Sequence, residues 1–129
     1  MKRKQSLIFI AFVVLTVSFS ACYYDKSEEV YPAAPCPITT VSYKSDVVGI
    51  LSTNCYSCHS TAAAPANGGG NVLDVYDNLV KFANSGQLLN VIEHVNVPPT
   101  LFMPQNGGKL SNCDISKIKA WKNAGAPNN

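Results

Sequence analysis

Arginine is almost absent from this chain. Its 129 residues hold 10 basic and 8 acidic side chains, and the one arginine is Arg3. Lys2, Arg3 and Lys4 precede an apolar run. If that segment is removed, 10 less these 3 leaves 7 basic against 8 acidic groups, a charge of −1. Phosphate recognition relies on arginine forks and basic patches. The remaining lysines are scattered, which argues against nucleic-acid binding. No Ser/His/Asp arrangement, no paired carboxylates in an apolar setting and no glycine-rich phosphate loop after a strand is present. No substrate chemistry and no small-molecule substrate are therefore expected. No convincing strand pattern, internal repeat or low-complexity tract appears, and the length suits one domain.

The scarce residues are informative. There are two methionines, two histidines and one tryptophan, but five cysteines. Residues 1–22 read MKRKQSLIFIAFVVLTVSFSAC. A basic start, an apolar stretch from Leu7 to Val17 and small residues before a cysteine are the layout of a secretory signal peptide. The stretch is shorter than the ~20 apolar residues that span a bilayer. Phe19-Ser20-Ala21-Cys22 resembles the lipobox of bacterial lipoproteins, apart from Phe19 where an aliphatic residue is usual. The resemblance implies a signal peptide over 1–21, lipidation of Cys22 and a stable membrane anchor. Tyr23 is not the aspartate that marks inner-membrane retention in that family, so the resemblance implies the outer membrane, facing the periplasm. Ser27-Glu28-Glu29 also resembles the surface-export tags of some lipoproteins, which leaves the cell surface open.

Residues 22–40 are rich in proline, acids and tyrosine, without helical period, and read as a tether. The domain is expected over 41–129. Val47, Val48, Ile50 and Leu51 predict a first helix from Tyr43 to Asn54, running straight into Cys55-Tyr56-Ser57-Cys58-His59. Residues 60–71 read as a loop. A second helix is expected from Asp74, as N-cap, to near Gly86. Leu88 to His94 suggests a short helix, and residues 95–109 form a Pro- and Gly-rich loop around Met103. Ser111 as N-cap, Asp114 three residues on, and the Leu110/Ile115 staple pair open a last helix. Ile115, Ile118 and Trp121 line one face, and Gly125 and Pro127 end it. The expectation is an all-α domain of three to five helices with long loops, in which Leu51 or a neighbouring valine meets Trp121.

Cys55-x-x-Cys58-His59 is the attachment signal for c-type haem. Two thiols at i and i+3 can form thioethers with the two vinyl groups of one porphyrin, and the next imidazole is a good iron ligand. A thioredoxin-like pair would want a βαβ setting, which is missing. A zinc knuckle would want four ligands at typical spacings, and Cys36, Cys113 and His94 are too scattered for that. With the motif at the end of a helix, the Met103-Pro104 pair in a late loop and an aromatic residue on the last helix, residues 43–125 resemble class I c-type cytochromes. The resemblance implies a cytochrome c-like fold with crossing terminal helices and one covalent haem on Cys55 and Cys58. It also implies His59 and Met103 as axial ligands. Gly49 lies nearer the motif than that family's helix-crossing glycine.

Elimination favours the same sixth ligand, since Met103 is the one methionine left after processing and Pro104 keeps it out of a helix. The rival is His94, which would give a bis-His haem. If neither binds, a five-coordinate iron would suit a sensor or a peroxidase-like enzyme. With Cys22, Cys55 and Cys58 assigned, Cys36 and Cys113 remain. An even remainder in an oxidising compartment reads most economically as a disulfide, the alternative being two unpaired thiols. The function expected is electron transfer to redox partner proteins, without catalysis.

Overall fold

The computed structural model describes residues 36–105 and 107–129. The expected signal peptide, Cys22, and the tether as far as residue 35 lie outside the described residues. From Cys36 to Asn129 the chain forms one compact unit. Among the described residues there are helices and no strand.

The first helical stretch starts as a π-helical turn, Tyr43–Val47, and continues as α1, Val48–Asn54. Ser42 caps it: the Ser42 hydroxyl accepts from the Ser45 N–H, and Asp46 Oδ2 accepts from the Ser42 N–H at 3.0 Å. Two one-turn helices follow, α2 (Tyr56–His59) and α3 (Ala64–Asn67). The second falls where a loop was expected, with Pro65 in its first turn, a position that suits proline's fixed φ. Next come α4 (Tyr76–Asn84), α5 (Gln87–Glu93), a 3₁₀ turn (Pro99–Leu101) and α6 (Asn112–Asn123). Among the described residues the six α segments exceed the expected three to five because the CYSCH motif and the loop after it each wind one turn of their own.

Asp74 does not cap α4; Val75 stands at that position, without a side-chain cap. The Asp74 carboxylate turns the other way and accepts from the Thr61 N–H and hydroxyl at 2.8–2.9 Å. Its short side chain takes the two donors offered by residue 61, the N–H and the hydroxyl, in place of its own helix. Ser111 does cap α6, accepting from the Asp114 N–H at 3.0 Å. Leu110 and Ile115, the expected staple pair, are both buried.

Trp121, Leu51, Leu79, Leu88, Ile118 and Val47 are fully buried in one cluster. Each such aliphatic side chain contributes about 1.5–3 kcal/mol relative to exposure. Trp121 thus sits with Val47 and Leu51, but its closest aromatic partner is Tyr43, whose ring stacks on it at 5.8 Å between centroids. The indole N–H donates to the Pro127 carbonyl at 2.9 Å, so the polar end of the buried ring is satisfied by the chain folding back after α6. Asn129 completes the return: its side-chain oxygen accepts from the Tyr43 N–H at 2.8 Å and its carbonyl from the Lys44 N–H. A Lys117–Asp46 ion pair at 2.8 Å also joins α6 to the π turn. A Cβ added at Gly49 would meet nothing within 4 Å, so no helix packs closely over it.

Cys36 and Cys113 are disulfide-bonded, closing a loop across a sequence separation of 77. The bridge joins the start of the described chain to the first turn of α6. Replacing both cysteines with serine is expected to lower stability by roughly 4 kcal/mol on chain-entropy grounds. A urea titration checks it; an unchanged midpoint would contradict it.

Candidate functional site

The site is built where α1 ends. Cys55 closes that helix with φ −126° and ψ −39°, and its carbonyl accepts from the Cys58 and His59 N–H groups as α2 begins. Tyr56–His59 therefore forms a single turn, placing the two cysteines at i and i+3. Both carry free thiols and both are half-buried. Burial pushes the Cys55 thiol up to about 11. Such a group stays protonated at neutral pH, unlike the activated thiolate of a redox pair.

The chain after His59 folds back on it. The Leu73 N–H donates to the His59 carbonyl at 2.7 Å, and Thr61 meets Asp74. Between these ties the Asn71 carbonyl lies 2.9 Å from His59 Nδ1. A carbonyl can only accept, so Nδ1 donates to it, and in the neutral ring Nε2 is the nitrogen that keeps its lone pair. Fixing one ring nitrogen on a backbone carbonyl so that the other can bind a metal is the usual arrangement at histidine ligands. Gly68 makes the approach possible. A Cβ there would lie 2.5 Å from the Cys58 carbonyl oxygen and 2.9 Å from His59 Nδ1.

A largely apolar cavity of about 200 Å³ opens beside the motif, bordered by Cys55, His59, Leu88, Val91, Ile92 and Met103 among others. A second cavity of about 280 Å³ adjoins it, bordered by Cys58 and Pro104. The two share Cys55, His59, Asn71, Leu101 and Met103, and so form one cleft. Cys55, Cys58 and His59 of the motif and Met103, remote from it in sequence, thus all border the second cavity.

His94 borders neither cavity. Its Nε2 lies 3.1 Å from the Met103 carbonyl oxygen, and by the same reasoning donates to it. Its ring stacks on Phe102 at 4.2 Å with an interplanar angle of 1°. The structure thus places His94 behind the methionine. Sequence reasoning missed this role, as it missed Asn71 and Gly68, because each acts through the backbone. Among the described residues no three His, Cys, Asp or Glu side chains gather as a zinc site would need.

The residues present fit a c-type haem: two thiols one turn apart, an imidazole whose Nδ1 is held on a carbonyl, a largely apolar cavity and a methionine on its border. Comparison with known protein families, characterised proteins and solved structures finds no match.

Two outcomes follow from this geometry. Gly68→Ala should destabilise the fold by about 1–3 kcal/mol through overpacking, whereas Gly49→Ala on the exposed face of α1 should stabilise it by about 0.5–1 kcal/mol. Opposite shifts of the two urea midpoints are expected. The second outcome concerns pH. Hydrogen bonds from Thr61 hold the Asp74 carboxyl below its usual range. Its contribution is complete above the ordinary carboxylate pKa of about 4 and is lost as pH falls through the lower folded value. Asp74→Asn should therefore flatten the loss of stability in acid, as measured by unfolding midpoints from pH 6 to pH 3.

Proposed function

We propose that this chain is a mono-haem c-type cytochrome that carries electrons. One haem would be held by thioether bonds to Cys55 and Cys58, with His59 and Met103 supplying the ligands to its iron. The observation that carries this reading is the His59–Asn71 hydrogen bond, which leaves Nε2 as the lone-pair nitrogen of a ring bordering the same cleft as Cys55, Cys58 and Met103. The haem supplies the one-electron couple. The chain supplies attachment, an apolar wall that keeps water off the iron, and a neutral sulfur donor. A thioether favours the ferrous state more than an imidazole does and so raises the potential. Binding through both thiols and the imidazole needs no group that acts on a substrate, which suits a carrier rather than an enzyme.

The rest of the reading is carried by the sequence. Cys22, lipidated, would anchor the protein to the outer membrane, facing the periplasm or the cell surface, with 22–40 as tether. Among the described residues no helix is long and apolar enough to cross a membrane. A carrier held in this way exchanges electrons with redox partner proteins that come within reach of the tether.

The test uses the chain expressed with a cytochrome c maturation system. Haem staining on a denaturing gel should mark the wild type and not the variant with both Cys55→Ala and Cys58→Ala. Met103→Ala should keep the stain, lower the reduction potential and admit carbon monoxide to the ferrous iron. A wild type without stain would overturn the reading, and a Met103→Ala variant with an unchanged potential would overturn the sixth ligand.

A further inference from the structure

The segment carrying Met103 is irregular, yet both of its backbone polar groups are taken by one helix end. The Met103 N–H donates to the Val91 carbonyl at 3.0 Å, and the Met103 carbonyl accepts from His94 Nε2 at 3.1 Å. Val91 lies in the last turn of α5 and His94 is the residue that ends it. The preceding residue, Phe102, lies flat against the His94 ring. Residues 102 and 103 are thus seated on the C-terminal end of α5 by three contacts, two of them from one imidazole.

The backbone of His94 gives a second, independent sign. Its φ is 59° and its ψ is 43°, the left-handed conformation, and its N–H and that of Val95 both return to the Asn90 carbonyl. This is the helix-ending position where glycine is the usual and least strained residue. A histidine there carries a backbone cost that glycine would not. Both of its visible contacts go to the segment that borders the cleft.

We infer that His94 is a positioning residue: it clamps the Met103 backbone to α5, so that the sulfur is held ready at the cleft and competes against any outside ligand for the iron. The inference rests on the haem reading above. His94 binds no iron in this account. It acts only through the methionine, and by fixing the loop it reduces the entropy lost when the sulfur becomes a ligand.

The experiment is an imidazole titration of the ferric holoprotein, followed by absorbance, since imidazole must displace the sulfur to bind. In His94→Gly the left-handed position becomes easier, so the urea midpoint should hold or rise while imidazole affinity increases about tenfold, the order expected when a hydrogen bond and a stacking contact are lost. His94→Gln, whose amide N–H sits at about the reach of Nε2, should return most of the wild-type resistance. Met103→Ala sets the upper limit of affinity. An affinity in His94→Gly within twofold of the wild type would overturn the clamp, as would a His94→Gln variant that behaves like His94→Gly. A wild type that already binds imidazole as tightly as Met103→Ala would overturn the sulfur ligand itself, and the clamp with it. That result is distinguishable from the first because Met103→Ala then changes nothing.

Discussion

The hydrogen bond from His59 Nδ1 to the Asn71 carbonyl, 2.9 Å long, is the constraint on which the site depends. It decides which ring nitrogen carries the proton, and so which one can bind a metal. It also dictates the shape of the chain between them. Residue 71 can reach His59 only because Gly68 has no side chain where Cys58 and His59 stand, and because Leu73 and Asp74 tie the returning chain to residues 59 and 61. The loop after the motif is therefore a bracket for one imidazole, with Gly68 at its tight point.

The helices serve this bracket from the other side. Trp121 and Tyr43 join the first and last helical stretches, the returning tail satisfies the indole, and Cys36 is tied to Cys113. With that frame closed, the C-terminal end of α5 holds the loop bearing Met103 at the border of the cleft. The same device appears twice: at His59 and at His94 an imidazole N–H is aimed at a backbone carbonyl. In the first case the bond frees a nitrogen. In the second it holds a neighbour in place.

Much of this was legible in the sequence because it is local. The first helical stretch, the cap at Ser111, the buried face Ile115, Ile118 and Trp121, and the short helix before His94 follow from periodicity and capping, which act within a few residues. The Cys36–Cys113 bridge followed from counting. What escaped depends on the tertiary course of the backbone. Asp74 read as an N-cap because its type and place suited one, but Thr61, brought near by the fold, competes for the carboxylate. Asn71, Gly68 and the seat of Met103 on α5 leave no mark in composition, since main-chain carbonyls are the same at every residue. Tyr43 as the partner of Trp121 lies at the edge of the first helical stretch, where an apolar pattern points instead to Val47 and Leu51.

The central claim is that one cleft takes a haem with a nitrogen donor on one side and a sulfur donor on the other. The absorbance spectrum of the matured wild-type protein, ferric and then ferrous, tests it most directly. The account predicts a low-spin c-type spectrum with the far-red charge-transfer band of methionine-bound ferric haem, and a ferrous form that does not take up carbon monoxide. A protein lacking that band whose ferrous form binds carbon monoxide at once would contradict it.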